Sequence, residues 1–121
     1  NIEMSTRSQP YRRAMPLHIF PLLRVASRVT LYLVNQSGPT SFTFKDRLGA
    51  KHKASIGNSI HCSCQMRAND HCLHTIYILI RLFKIPIDNP LIWQNSFLDS
   101  ELTDIIAGKY SAQTISIPVL S

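Results

Sequence analysis

HCSCQMRANDHCLH, residues 61–74, holds all three cysteines of the chain and three of its five histidines. Cys62 and Cys64 are separated by one residue, so two thiolates can face one point if the backbone turns at Ser63. Cys72 and His74 follow across a seven-residue loop, at what reads as the first turn of a helix. Three thiolates and one imidazole make a closed tetrahedral set, the shell that structural zinc prefers. A disulfide between Cys62 and Cys64 would close a very tight ring and leave one cysteine over. A redox motif would want C-x-x-C beside a βαβ pattern, and a cysteine nucleophile would want an orienting third group and an oxyanion hole; none of these is legible. Cysteines buried for packing alone are the remaining reading. The stretch reads best as a metal site on Cys62, Cys64, Cys72 and His74, with His61 and His71 beside it expected as partly exposed polar side chains, either of which could substitute in a distorted geometry.

Working outward, the segment before the cysteines reads as short strands. VTLYLV (29–34) is β-branched and aromatic, and SFTFKDR alternates Phe42 and Phe44 against Thr43 and Lys45. Gly49 marks a hairpin turn, KHKASI returns as a second strand of the hairpin, and Gly57-Asn58 turns the chain toward Cys62. Three strands are therefore expected to deliver the first cysteine. After Cys72 the period changes: Leu73, Ile76, Tyr77, Ile80 and Phe83 recur at three- and four-residue steps, with no Gly or Pro until Pro86. Ile78, Leu79 and Leu82 fall on the other faces, so this helix is apolar nearly all round and belongs in the core or under a partner. DSELTDIIAGK reads as a second helix, capped by Asp99 or Ser100, favoured by Glu101 and Asp104, and stopped at Gly108.

The fold expected is a small α+β zinc finger: a short antiparallel hairpin or sheet, a C-x-C knuckle, a central apolar helix and a second, C-terminal helix. Residues 1–28, rich in arginine and with no acid after Glu3, read as a basic, flexible lead-in with the bias of an organellar transit peptide. The finger domain spans residues 29–109, and 110–121 form a weakly alternating tail. The oily run PLHIFPLLRVASRVTLYLV is interrupted by Pro21, Arg24 and Arg28 and is not a membrane span.

The residues also carry a resemblance. C-S-C, a short loop, then C-L-H on a hydrophobic helix behind a hairpin resembles the SWIM-type zinc finger, whose pattern is C-x-C, a variable loop, then C-x-H. IPIDNPLIWQNSFLDSELTDII is similar to the continuation in SWIM–RING ubiquitin ligases and in SWIM-containing mitogen-activated protein kinase kinase kinases. The likeness covers roughly residues 29 to 109. It implies Cys62, Cys64, Cys72 and His74 as ligands of one structural zinc ion, and it allows either a protein or a nucleic acid as partner.

A full protein shell leaves no position for water or substrate, so the zinc is expected to be structural and the chain not an enzyme. A RING needs about eight Cys and His ligands of its own, and after His74 the chain has neither residue. Ligase chemistry is thus expected only from a longer or partnered protein. The acids are scattered and suggest no catalytic constellation.

Function is then expected on the surface that zinc organises. The first reading is a protein-interaction module, with the apolar helix, Trp93, Phe97 and the acidic helix as its face. The partner would be a ubiquitin-pathway component or a second copy of the chain; Trp93 and Phe97 as core residues are the blander expectation. The alternative is nucleic-acid binding through Lys45, Lys51, Lys53, Arg47 and Arg67. Charge supports a basic face there, since residues 1–85 carry twelve of the thirteen basic residues, while four of the seven acids follow residue 85. Metal-bound thiols imply a reducing, intracellular compartment.

Overall fold

The computed structural model describes residues 7–64 and 70–111. Four strands form an antiparallel meander in the order β1 (Tyr32–Gly38), β2 (Ser41–Lys45), β3 (Lys51–Ser55) and β4 (His61–Cys62). Among the described residues three α-helices accompany them: α1 (Ile19–Ala26), α2 (Leu73–Tyr77) and α3 (Asp99–Ile106). The α+β class read from the sequence is the class observed.

Alternation along β2 sets the sheet. Phe42 and Phe44 are buried on its inner side, while Lys45 is exposed. Phe42 pairs with Ala54 and Phe44 with His52, so β3 turns the same side inward. Gly49 closes the β2–β3 turn with φ of 88°, a conformation that suits glycine. Asp46 completes that turn, its carboxylate accepting from the backbone N–H groups of Leu48 and Ala50 at 2.9 Å each. The first strand begins at Tyr32 rather than Val29, and its ladder with β2 breaks register between Leu33 and Asn35 and again between Gln36 and Gly38.

The helix after Cys72 is buried on every side because it has neighbours on two. It lies against β3 and β4 and also against α1. Thr75, Ile76, Tyr77, Ile78, Leu79 and Ile80 are all buried. Each such Ile or Leu withdrawn from water contributes about 1.5–3 kcal/mol. Past Tyr77 the helix widens into a π-helical segment, Ile78–Leu82, in which the Phe83 N–H reaches the Ile78 carbonyl at 2.9 Å. Lys84, at φ 62°, then turns the chain out, two residues before the Pro86 that the sequence marks as the stop.

Two expectations are corrected. Among the described residues the strands number four rather than three, because β4 adds a two-residue pairing of Cys62 with Ala54 and His61 with Ser55. Residues 7–28 are not a loose lead-in. Ile19, Leu23 and Ala26 of α1 are in the core, and Arg12 donates to Asp70 through both terminal nitrogens, at 3.1 and 3.0 Å. The backbone N–H of Arg12 also donates to the side chain of Gln94 at 2.8 Å.

The segment after the central helix packs as well. Phe97 is fully buried, and the Trp93 indole, half-buried, donates to the Arg12 carbonyl at 3.2 Å. Phe97 is thus a core residue, the blander of the two expectations, and Trp93 is partly covered. Helix α3 starts one residue early, its cap position being Leu98, whose N–H donates to the Glu101 carboxylate at 2.9 Å. Residues 112–121, the bulk of the expected tail, and Arg67 lie outside the described residues.

Candidate metal centre

The site forms where a strand end meets a helix start. Cys62 closes β4 opposite Ala54, and so lies on the inner side of the sheet. Ser63 turns the chain and is held in place by Lys53 twice over. Its N–H donates to the Lys53 carbonyl at 3.0 Å, and its hydroxyl accepts from the Lys53 N–H at 3.0 Å. This knuckle swings Cys64 back so that its N–H points at the Cys62 sulfur.

From the other side, Cys72 occupies the cap position of α2 in extended conformation, and the Thr75 N–H points at its sulfur. Thr75 Oγ1 in turn accepts from the Cys72 N–H at 3.0 Å. The sulfur thus takes the place that a serine oxygen takes in an ordinary capping box.

One atom from each of Cys62, Cys64, Cys72 and His74 lies within 4.8 Å of all the others. His74 Nδ1 is 3.5 Å from Cys62 Sγ and 3.8 Å from Cys72 Sγ. Zinc bonds of about 2.3 Å to sulfur and about 2.0–2.1 Å to nitrogen, at tetrahedral angles, set S···N edges of about 3.6 Å and S···S edges of about 3.8 Å. The donor set therefore fits such an ion with a contraction of no more than about 1 Å at its widest pair.

Electrostatics distinguish the two nearest sulfurs. The Cys72 thiol is pushed well below its ordinary value, first by the hydrogen bond from Cys62 and then, against its burial, by His74 and the Thr75 N–H. Cys62 is pushed upward by its interaction with Cys72 and by burial.

The His74 ring lies beside a cross-strand pair. His52 stacks on it with centroids 5.0 Å apart, and Phe44, which pairs with His52 across β2 and β3, is tilted against it at 5.6 Å. His52 Nε2 is in turn 3.1 Å from Asp46 Oδ2, which links the hairpin turn to the cluster.

The structure separates the other two histidines of the stretch from the cluster. His71 is fully buried with both nitrogens engaged: Nδ1 is 2.9 Å from Thr75 Oγ1 and Nε2 is 2.6 Å from the Gln94 carbonyl. A carbonyl can only accept, so Nε2 carries the proton, and Nδ1 accepts from the Thr75 hydroxyl. Burial pushes the His71 pKa down to about 4. His71 is a core connector rather than the partly exposed side chain expected. His61 is exposed on β4.

Beside it, burial raises the Asp70 carboxyl, but the Arg12 guanidinium, the His71 N–H and His18 outweigh that and leave it at about 2. These supports, Arg12, His18, Asp70, Thr75 and His52, were not found from the sequence. Only Thr75, three residues after Cys72, carries a local signal, the spacing of a capping box. Arg12 and Asp70 are 58 residues apart, and no local pattern joins them.

Among known proteins, the chain is similar to a segment of the mouse E3 ubiquitin-protein ligase Zswim2, 28% identical over 88 residues that make up 69% of this chain and 14% of that protein. It is similar to a segment of mouse mitogen-activated protein kinase kinase kinase 1, 29% identical over 91 residues, 74% of this chain and 6% of that protein. The human ZSWIM2 ligase matches at 25% over 89 residues, 70% of this chain and 14% of that protein. The chain thus spans a small part of larger enzymes and is distantly related to that part of each. No family model matches it, and no solved structure does. Among the described residues, no helix is long and apolar enough to cross a membrane.

Proposed function

We propose that the chain is a zinc-stapled finger of SWIM type that works as a non-catalytic protein-interaction module. The observation that carries this reading is the approach of His74 Nδ1 to the sulfurs of Cys62 and Cys72 at the edge lengths of a zinc tetrahedron. One zinc ion on Cys62, Cys64, Cys72 and His74 would join β4 to α2. With four protein donors the ion has no open position, so its work is structural: it holds the sheet and the central helix in one arrangement. Three thiolates kept for a metal suit a reducing, intracellular compartment.

Support for a protein partner comes from α1 rather than from the residues first expected. Leu17, just before α1, and Phe20 and Val25 on it are 84%, 53% and 43% exposed, with Arg24 exposed beside them. Exposed apolar side chains with a cation among them fit an apolar surface edged with carboxylates. The two larger enzymes whose segments resemble this chain support a place for such a module in a ubiquitin-ligase or signalling assembly.

Elemental analysis after exhaustive dialysis tests the metal: one zinc per chain in the parent, none in Cys72→Ser, and one in His61→Ala. No zinc in the parent would overturn the reading. For the partner, zinc-loaded parent and a Leu17→Asp/Phe20→Asp variant are used as paired baits. A protein retained by the parent and lost by the variant supports the α1 face, and equal retention by both removes it. Sedimentation of the parent alone shows whether that partner is a second copy.

A further inference from the structure

We infer that the outer face of the β1–β3 sheet, with the cleft at its edge, is a binding site for single-stranded nucleic acid, in which Tyr32 stacks on a base and Lys45, Arg47, Lys51 and Lys53 hold the phosphates. The sequence places the lysines on one face, but only the strand pairing brings an aromatic ring among them. Tyr32 lies opposite Lys45, and Lys45 lies opposite Lys51, so the three form one row across three strands. Lys53, two residues along β3, projects on the same side. Tyr32 is 66% exposed, and the three lysines are exposed as well.

This row makes little sense as a solvated surface. Directly opposed like charges on a sheet destabilise it, and Lys45 and Lys51 are such a pair. The nearest carboxylate, Asp46, is turned to other work, accepting from Leu48 and Ala50 and lying against His52. An anion brought from outside would relieve the repulsion.

The shape beside the row says which kind of anion. A cleft of about 390 Å³ is lined by Val29, Thr30, Leu31, Tyr32, Lys45, Asp46 and Arg47. That lies within the range of small-ligand sites, about 300–1,000 Å³. A lining that combines apolar side chains, an aromatic ring and two cations suits a flat base joined to a phosphate. An acidic peptide would use the cations and leave the apolar lining without a role. A duplex keeps its bases paired and stacked and cannot place one there. Single strands bind by this combination of aromatic platform and cationic track.

The test uses the full, zinc-loaded chain and fluorescence anisotropy with labelled twelve-nucleotide probes. Thymidine and adenosine oligonucleotides, in DNA and RNA form, are compared with an abasic strand of equal charge, a duplex, and a glutamate peptide of equal charge. The base-bearing strands are expected to bind at least five-fold tighter than the abasic strand, the duplex and the peptide, with affinity falling steeply as salt rises. Tyr32→Ala should remove the advantage over the abasic strand while Tyr32→Phe keeps it, and Lys45→Gln/Lys51→Gln should weaken every probe by ten-fold or more.

Abasic strand, duplex or peptide bound as tightly as the base-bearing strands would overturn the proposal, as would indifference to Tyr32→Ala or to the paired lysine substitution. Zinc content and circular dichroism report whether each variant folds. If Tyr32→Ala does not, the comparison of base-bearing with abasic strands on the parent decides alone.

Discussion

The imidazole of His52 stacks on that of His74, with ring centroids 5.0 Å apart and 27° between the planes. A residue of the hairpin therefore restrains the orientation of a candidate metal ligand without donating an atom to the cluster. His52→Ala should loosen that restraint, speeding loss of metal to a chelator by about ten-fold, the low end for residues that support a ligand. The cobalt-substituted protein should show a shifted d–d spectrum, and His52→Phe should restore both properties. Identical spectra and exchange rates in parent and His52→Ala would show that the stack has no such role.

Metal removal should act on the junction between sheet and helix. Cys62 belongs to β4, and Cys72 and His74 to the start of α2, so an ion held by them would tie the end of the sheet to the start of the helix. Structural zinc in small fingers is worth on the order of 10 kcal/mol of apparent binding energy, comparable with the whole stability of such a domain. Chelation is expected to unfold the hairpin and release the central helix, read as loss of circular dichroism and of amide protection over residues 51–62 and 73–82. Unchanged spectra after complete chelation would contradict this.

Thr75 links Cys72 to His71 inside the core, accepting from the Cys72 N–H at 3.0 Å and donating to His71 Nδ1 at 2.9 Å. Thr75→Val keeps the shape and removes the hydroxyl, leaving two buried polar groups unpaired. Denaturant unfolding should show a loss of about 1–3 kcal/mol, which Thr75→Ser largely recovers. A Val variant as stable as the parent would mean that the network contributes nothing net.

Arg12 fastens the N-terminal segment to the finger through Asp70 and through the Trp93 carbonyl, at 3.1 Å. Arg12→Ala should lower stability by about 1–3 kcal/mol, with Asp70 left partly buried on the His71 N–H and His18 and without its guanidinium partner. Trp93 fluorescence follows the change directly. Removing residues 1–28 should cost far more, because Ile19, Leu23 and Ala26 leave the core with them.

Phe97→Ala should destabilise by about 3–5 kcal/mol, the range for truncating a buried aromatic side chain. A small effect, within about 0.5 kcal/mol, would place Phe97 at a surface after all.

What was legible in the sequence was local. Phe42 and Phe44 against Thr43 and Lys45 give a strand by alternation, and Gly49 gives its turn. Apolar residues on every face from Leu73 to Leu82 give a central helix. Cys62, Cys64, Cys72 and His74 stand in a ligand spacing, and the structure brings their donor atoms together.

What escaped depended on distant partners. Strand β4 is two residues long and has no period to detect. Helix α1 has Ile19, Leu23 and Ala26 at helical spacing, but the arginines and the lack of acids after Glu3 argued for a flexible lead-in. Pro21 sits in the first turn, where a backbone N–H has no helical partner to lose. Trp93 and Phe97 could be read as core or as surface, because nothing near them in sequence announces Arg12 or Gly57, to which their segment bonds.

The register breaks in β1 bear on how the molecule behaves among copies of itself. No charged residue occurs from Val29 to Phe44, and β1 is an outer strand that leaves Tyr32, Leu33 and Val34 exposed. A straight, uncharged edge of that kind is a template on which further strands add, the route to fibres. Two bulges within seven residues bend the edge and interrupt its row of free N–H and carbonyl groups. In this chain irregular backbone geometry stands where other sheet edges carry lysines, and a substitution that straightened β1 would leave an edge on which further copies of the chain could add.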